Sequence, residues 1–191
     1  VTVNLPRIAL KANGDKDLFW QIFDEEMQVA KSALVFKVKR VLDASPENAP
    51  ILYQFGAFGK RLKPDGNVDE LFKNGRATVS LGYIGLYEVG TSFYGPDWEN
   101  NQEAHDFTLQ IVKELNLRCK AWSKEYNYHF SVYSTPSESL TDRFCKLDTE
   151  RFGKVKDITD KEYYTNSFHY DVRKHPSPFE KLTFEMDYPK Y

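Results

Sequence analysis

The amino-acid sequence predicts an α/β protein whose strands are mostly parallel. Two observations lead there. A β-prone run passes through a polar junction into a helical pattern at Asn4-Leu5-Pro6, at Ser80-Leu81-Gly82 and at Ser134-Thr135-Pro136. Such strand–junction–helix alternation is the mark of parallel sheets with helical crossovers. Two long stretches with helical periodicity separate these junctions and are long enough to cover a sheet.

Val1-Thr-Val-Asn-Leu5 is β-prone, and Pro6 opens a short helix that ends at Asn13-Gly14. Asn4 falls at the strand end, the edge where open or barrel α/β folds bind ligands. A lone Asn there also suits a turn or cap. Asp15 is placed to cap a helix running to about Asp43. Phe19, Phe23, Met27, Ala30, Leu34, Val38 and Val41 recur along it at three- and four-residue steps. That spacing makes one apolar stripe, and at 1.5 Å per residue the helix spans about 40 Å.

Ile51–Phe55 is expected to be the next strand. The Gly56/Gly59 loop before Lys60-Arg61 lacks the GxxxxGK[ST] spacing of a phosphate loop. Asn67–Glu70 begins a short capped helix that Gly75 stops. Arg76–Leu81 is a strand, and Gly82-Tyr-Ile-Gly85 leads into a helix whose backbone approaches a neighbour closely. Residues Gln102–Glu125 repeat the helical pattern with Phe107, Ile111, Leu115, Cys119 and Trp122 on one face. Cys119 thus reads as a buried, inert thiol. Tyr128, Phe130 and Val132 alternate along the strand before the third junction. Leu147–Asp160 is polar and mixed, with Gly153 as a break. Glu162–Asp171 is rich in β-formers, and His169 and Asp171 would share one strand face. That pair reads as structural or as a general acid–base couple.

The third junction concentrates chemistry. Ser134, Thr135, Ser137 and Ser139 place four hydroxyls within six residues. Thr135 is a plausible N-cap, with Pro136 at the first helical position and Glu138 completing a capping box. A helix N-terminus with hydroxyls beside it is an anion site by construction. The same residues also describe nothing more than a capped helix, and the charge of Glu138 opposes an anion.

The 191 residues suit one domain with a sizeable core, at 41% hydrophobic and 28% charged. A formal charge of −2 gives no general attraction to nucleic acid or acidic membranes. No apolar run reaches the roughly 20 residues that cross a bilayer. Two cysteines without a CxxC fit a reducing cytoplasm and exclude a four-cysteine zinc site within the chain. HExxH, GxSxG and GxGxxG are absent. The lack of an initiator Met and the abrupt ends lead us to expect an excerpt from a longer protein.

Five segments carry a family likeness: Val3-Asn-Leu-Pro-Arg-Ile-Ala-Leu10, Asn48-Ala-Pro-Ile-Leu-Tyr-Gln54, Ser80-Leu-Gly-Tyr-Ile-Gly-Leu-Tyr-Glu-Val89, Tyr133-Ser-Thr-Pro-Ser-Glu-Ser-Leu-Thr-Asp-Arg-Phe-Cys145 and Asp157-Ile-Thr-Asp-Lys-Glu-Tyr-Tyr-Thr-Asn-Ser-Phe-His-Tyr-Asp-Val172. Together they resemble the large subunit of anaerobic (class III) ribonucleoside-triphosphate reductases, which are glycyl radical enzymes. The resemblance implies that residues 1–191 are part of a ten-stranded α/β barrel, the catalytic domain of a longer chain. It implies reduction of ribonucleoside triphosphates at the 2′ carbon by glycyl and thiyl radicals, with formate as reductant. The implied partners are a radical-SAM activase and a second copy of the subunit, with nucleic acid and membrane excluded and a cytoplasmic location. Ser134, Thr135, Ser137, Glu138 and Ser139 would hold the substrate phosphates, and Asn4 and His169 would stand at the active-site wall. The family's radical cysteine precedes this stretch, in a Gly-Cys-Arg-Ser context absent here. Its glycyl radical motif and structural zinc cysteines follow it. Thiyl chemistry is therefore not carried onto Cys119 or Cys145, no residue is assigned as catalytic, and the chain alone is expected to bind neither cofactor and to be inactive. Two other readings stand beside this one. A glycyl radical enzyme acting on a small acid would not need the hydroxyl-rich loop, and a binding or structural fragment would need no turnover.

Overall fold

The computed structural model describes residues 1–191, apart from the side chain of Glu138. Among the described residues the chain forms three strands and seven α-helices, joined by short 3-10 turns. β1 (Thr2–Asn4) leads directly into α1 (Leu5–Ala12). There follow α2 (Lys16–Leu42) and the single-turn α3 (Pro50–Tyr53). β2 (Thr78–Ile84) feeds α4 (Leu86–Tyr94), and α5 (Gln102–Tyr126) leads back to β3 (His129–Ser134). α6 (Glu138–Phe152) and α7 (Pro178–Glu185) complete the chain.

The sheet has the order β1-β2-β3 and is wholly parallel. Asn4 pairs with Ile84, and Tyr83 pairs with Ser134, so the three strands end at one edge. Parallel neighbours need long crossovers. Here α1 and α2 intervene between the first two strands, and α4 and α5 between the second and third.

The predicted caps and stripes of the long helices are present. Asp15 accepts the amides of Asp17 and Leu18, and Phe19, Phe23, Met27, Ala30, Leu34 and Val38 are buried. Val41 joins a smaller cluster around Tyr53, Leu62, Val68 and Leu71. On α5, Phe107, Ile111, Leu115, Cys119 and Trp122 face the main core. Phe19, Phe93 and Phe107 meet with ring centroids 5.0–5.6 Å apart, tying α2, α4 and α5 together. Each such ring buries enough apolar surface for about 1.5–3 kcal/mol, with edge-to-face contacts adding to it.

Three expectations are corrected. Ile51–Phe55 is not a strand, because Pro50 starts a helical turn there, and Ile51 and Phe55 point to solvent with only Tyr53 buried. Residues 162–171 form no strand either. Glu162 and Ser167 have φ of 67° and 40°, which turns the chain out of extended geometry, and Asn166 makes one isolated antiparallel bridge to Ile84. The N-cap of α6 is Ser137 and not Thr135, so Pro136 precedes the helix. The helix then runs through Leu147 to Phe152, where Gly153 stops it.

Gly82 and Gly85 answer to close approach, as expected, although Gly82 lies within β2. A Cβ on Gly82 would lie 2.1 Å from Thr135 Oγ1 and 2.9 Å from Thr2 Oγ1. Gly85 has φ +80°, and a Cβ there would strike the Pro6 ring at 2.2 Å. Only glycine serves where backbone and neighbour come this near.

Candidate ligand edge at the strand ends

Asn4, Ile84-Gly85 and Ser134-Thr135 stand side by side where the three strands stop. In parallel α/β sheets this carboxyl edge is the ligand side. The five residues expected to bind phosphate can be placed one by one. Ser134 ends β3 with an exposed side chain next to Tyr83; burial pushes that phenol up from its ordinary value, and the Ser134 hydroxyl tempers the rise. Thr135 is buried against Gly82, with its hydroxyl directed to the Tyr133 carbonyl at 3.4 Å. Ser137 is half-buried, and its hydroxyl makes no capping hydrogen bond among the described residues. Its amide donates to Asn166 Oδ1 at 3.0 Å. Ser139 is exposed on the first turn of α6. The side chain of Glu138 lies outside the described residues. The hydroxyls and the helix start are thus gathered at the carboxyl edge of the sheet. Beside the first turn of α6, between Thr141-Asp142 and the 162–172 segment, a groove of about 610 Å³ opens.

Asn4 acts as a cap. Its Oδ1 accepts the Arg7 amide at 3.1 Å, while its Nδ2 donates to Asp148 Oδ2 at 2.8 Å. His169 and Asp171 do not pair. The His169 ring lies 3.2 Å from Glu185 on α7, whereas Asp171 turns inward to Lys161 and Arg173. A shared face needs an extended strand, and the chain instead turns at 166–169, where Ser167 has φ 40° and the His169 amide donates to the Asn166 carbonyl at 3.0 Å.

Two buried charge clusters behind this edge were not anticipated. Asp148, wholly buried on α6, accepts from Arg7 Nε at 2.6 Å, Asn4 Nδ2 and the Tyr164 hydroxyl at 2.9 Å. Burial and the Asp148 charge push the Tyr164 phenol up. Second, Lys161 is enclosed between Glu88 and Asp171, with its ammonium 3.0 Å from Asp171. Burial opposes the charge of Lys161, but the two carboxylates outweigh it and raise its affinity for the proton. Burial likewise opposes ionisation of Asp171, yet Arg173 and Lys161 hold its carboxyl well below the usual range. Glu88 Oε1 also accepts the Thr165 amide at 2.9 Å and hydroxyl at 2.7 Å. Each cluster has one member that stands out locally, though its partners do not. Glu88 is the single charge in an otherwise apolar stretch, and Asp148 continues the buried 141–145 face of α6 at helical spacing.

The cysteines suit packing and not chemistry. Burial pushes Cys119 up to about 12 and Cys145 up to about 11. Among the described residues no group of three or more His, Cys, Asp or Glu is placed to hold a metal ion. No described helix is long and apolar enough to cross a membrane.

The parallel sheet, its crossover helices and the polar groups at the strand ends define an α/β protein with helical crossovers. The whole chain, residues 1–191, matches the family model for anaerobic ribonucleoside-triphosphate reductase, and the chain belongs to that family. It is 48% identical over 190 residues to the anaerobic ribonucleoside-triphosphate reductase of Salmonella typhimurium, with 99% of this chain and 27% of the relative covered. The Escherichia coli enzyme gives the same figures. The relative from phage T4 is 45% identical over 192 residues, covering 98% of this chain and 30% of its own. The chain thus spans under a third of the length of these relatives. Among solved structures, the anaerobic ribonucleotide reductase from Thermotoga maritima with dATP bound in the specificity site superposes with a TM-score of 0.75 at 21% identity. That comparison covers 99% of this chain and 30% of the other, and it shows a shared fold.

Proposed function

We propose that this chain is part of the catalytic subunit of an anaerobic ribonucleotide reductase, contributing strands to a ten-stranded α/β barrel and the loop that holds the substrate phosphates. The full-length enzyme reduces ribonucleoside triphosphates to 2′-deoxyribonucleoside triphosphates, with formate as reductant. It works in the cytoplasm as a homodimer, and a radical-SAM activase installs its glycyl radical. That radical supplies the hydrogen-abstracting chemistry when present, and a structural zinc site stabilises the C-terminal region. The family likeness sets the glycyl radical motif and the zinc cysteines after this stretch, and no role toward either is assigned to Cys119 or Cys145, whose buried thiols are raised.

The observation that carries the phosphate reading is the placement of Ser134–Ser139. The loop lies at the carboxyl edge of three parallel strands, and it starts a 15-residue helix whose N-cap hydroxyl is not engaged in capping among the described residues. First-turn amides of a helix have no intrahelical partner, and the helix dipole favours an anion there. Ser137 and Ser139 would donate hydroxyls to phosphate oxygens, and the amides of α6 would complete the cradle. Thr135, lodged over Gly82, would fix the loop's departure from the sheet. Glu138 belongs to the same set of loop residues. Asn4, bound at both ends of its amide, would shape the wall beside the sugar, and His169 would border it from the far side of the groove.

The test is turnover. The full-length protein, activated under anaerobic conditions and given formate and CTP, is expected to form dCTP. A preparation that carries the glycyl radical and binds CTP but yields no deoxynucleotide would overturn the assignment.

A further inference from the structure

We infer that Asn166 is a positioning residue for the phosphate loop, holding the Ser137 amide so that the start of α6 faces the triphosphate; this rests on the phosphate reading above. The contact is specific. Asn166 Oδ1 accepts the Ser137 amide at 3.0 Å across 29 residues of sequence. Ser137 lies three residues past the end of β3 at Ser134, so its amide is outside the strand ladder. The Asn166 side chain takes the place of the missing ladder bond.

A side chain can position a loop only if it is itself held, and Asn166 is held through its own backbone and through both neighbours. Its backbone bridges to Ile84 at the end of β2. On one flank the Thr165 carbonyl accepts the Gly85 amide at 2.9 Å, and on the other the Ser167 carbonyl accepts the Leu86 amide at 3.1 Å. Thr165 is further bound through its amide and hydroxyl to Glu88 Oε1. Glu88 is itself paired with Lys161, which Asp171 holds from the other side. Tyr164 closes the arrangement on α6 by donating its amide to the Thr141 carbonyl at 3.3 Å and its hydroxyl to Asp148. The buried charge cluster therefore has a use at the ligand edge: it makes the 164–167 segment rigid, and Asn166 passes that rigidity to the loop. Preorganised donors bind a charged group better than donors that must first be ordered.

The experiment compares three variants of the full-length protein: Asn166→Ala, Asn166→Asp and Ser137→Ala/Ser139→Ala. Amide hydrogen exchange is read across residues 134–141, with calorimetric titration of CTP and of cytidine. Asn166→Ala is expected to expose the Ser137 amide to exchange and to weaken CTP about tenfold, leaving cytidine within about twofold. The KM for CTP should rise while kcat at saturation stays near native. Asn166→Asp keeps an acceptor and should keep the amide protected. A protected amide with native CTP affinity in Asn166→Ala would overturn the inference, as would equal weakening of CTP and cytidine. Weakening confined to the double serine variant would leave the phosphate reading standing and remove Asn166 from it. Native CTP affinity in the double serine variant would instead remove the phosphate reading itself. Should Asn166→Ala fail to fold, Asn166→Asp decides, since an exposed Ser137 amide in that variant contradicts the anchoring.

Discussion

Asn4 and Asp148, 144 residues apart in sequence, meet at 2.8 Å and join the end of the first strand to the helix that follows the last. Arg7 and Tyr164 reach the same carboxylate, so three separate parts of the chain converge on one buried group. Asp148→Ala would leave the Asn4 amide, the Tyr164 hydroxyl and the Arg7 guanidinium without that acceptor. A loss of about 2–4 kcal/mol is expected, since orphaned buried partners cost more than a net hydrogen bond is worth. Urea denaturation of the full-length protein checks it, and an unchanged midpoint would contradict the convergence.

The Lys161 cluster should respond asymmetrically to single and combined changes. Lys161→Met leaves Glu88 and Asp171 buried without their shared cation, and should cost about 3–5 kcal/mol. Adding Glu88→Gln removes the carboxylate left without a cation, since Asp171 keeps Arg173, and should recover part of that loss. Denaturation midpoints of the single and double variants measure the coupling. Simple additivity would argue against a shared cluster.

Stability should also fall in acid in a way traceable to Asp171. Its carboxyl is held below the ordinary value near 3.9 by Arg173 and Lys161, so the folded state favours the ionised form. The resulting contribution is present above the unfolded-state pKa and is lost as pH falls through the folded-state pKa. Lys161 is raised, so its contribution is present below the unfolded value near 10.4 and lost as pH rises through the folded one. Asp171→Asn should therefore flatten the acid limb below about pH 4 while leaving the slope between pH 6 and 8 unchanged. Denaturation profiles against pH report both limbs.

Gly82→Ala should damage the loop through one atom. The new Cβ would fall 2.1 Å from Thr135 Oγ1, which forces Thr135 out of its seat over the strand. Overpacking of this kind costs about 1–3 kcal/mol. The loss should shrink in a Thr135→Ala background, where the hydroxyl is gone, and a double-mutant cycle measures that relief.

Much of this fold is legible because it is written in short-range pattern. The stripes of α2 and α5 repeat at helical spacing, and Asp15 and Asn67 sit at caps that the structure confirms. Ile51–Phe55 misleads because so short a run suits a strand as well as a helical turn, and Pro50 at the first helical position is what turns it into a helix. Residues 162–171 mislead for a different reason. Their alternation comes from residues tied one at a time to different elements: Tyr164 to α6, Thr165 to Glu88, Asn166 to the loop and Tyr170 to Glu185. The edge where the strands end is legible in its hydroxyls and strand–helix junctions. The support behind it is not, since nothing local to Lys161 reveals that Glu88, 73 positions earlier, is its partner.

The most direct measurement of the central claim is calorimetric titration of the full-length protein with CTP and with cytidine, for the native sequence and for Ser137→Ala/Ser139→Ala. The account predicts that native protein binds CTP far more tightly than cytidine, and that the double variant loses about 1–3 kcal/mol of CTP binding with cytidine unaffected, the scale of charge-assisted hydrogen bonds. Unchanged CTP affinity in a well-folded double variant would show that Ser134–Ser139 start a helix and do not hold the substrate.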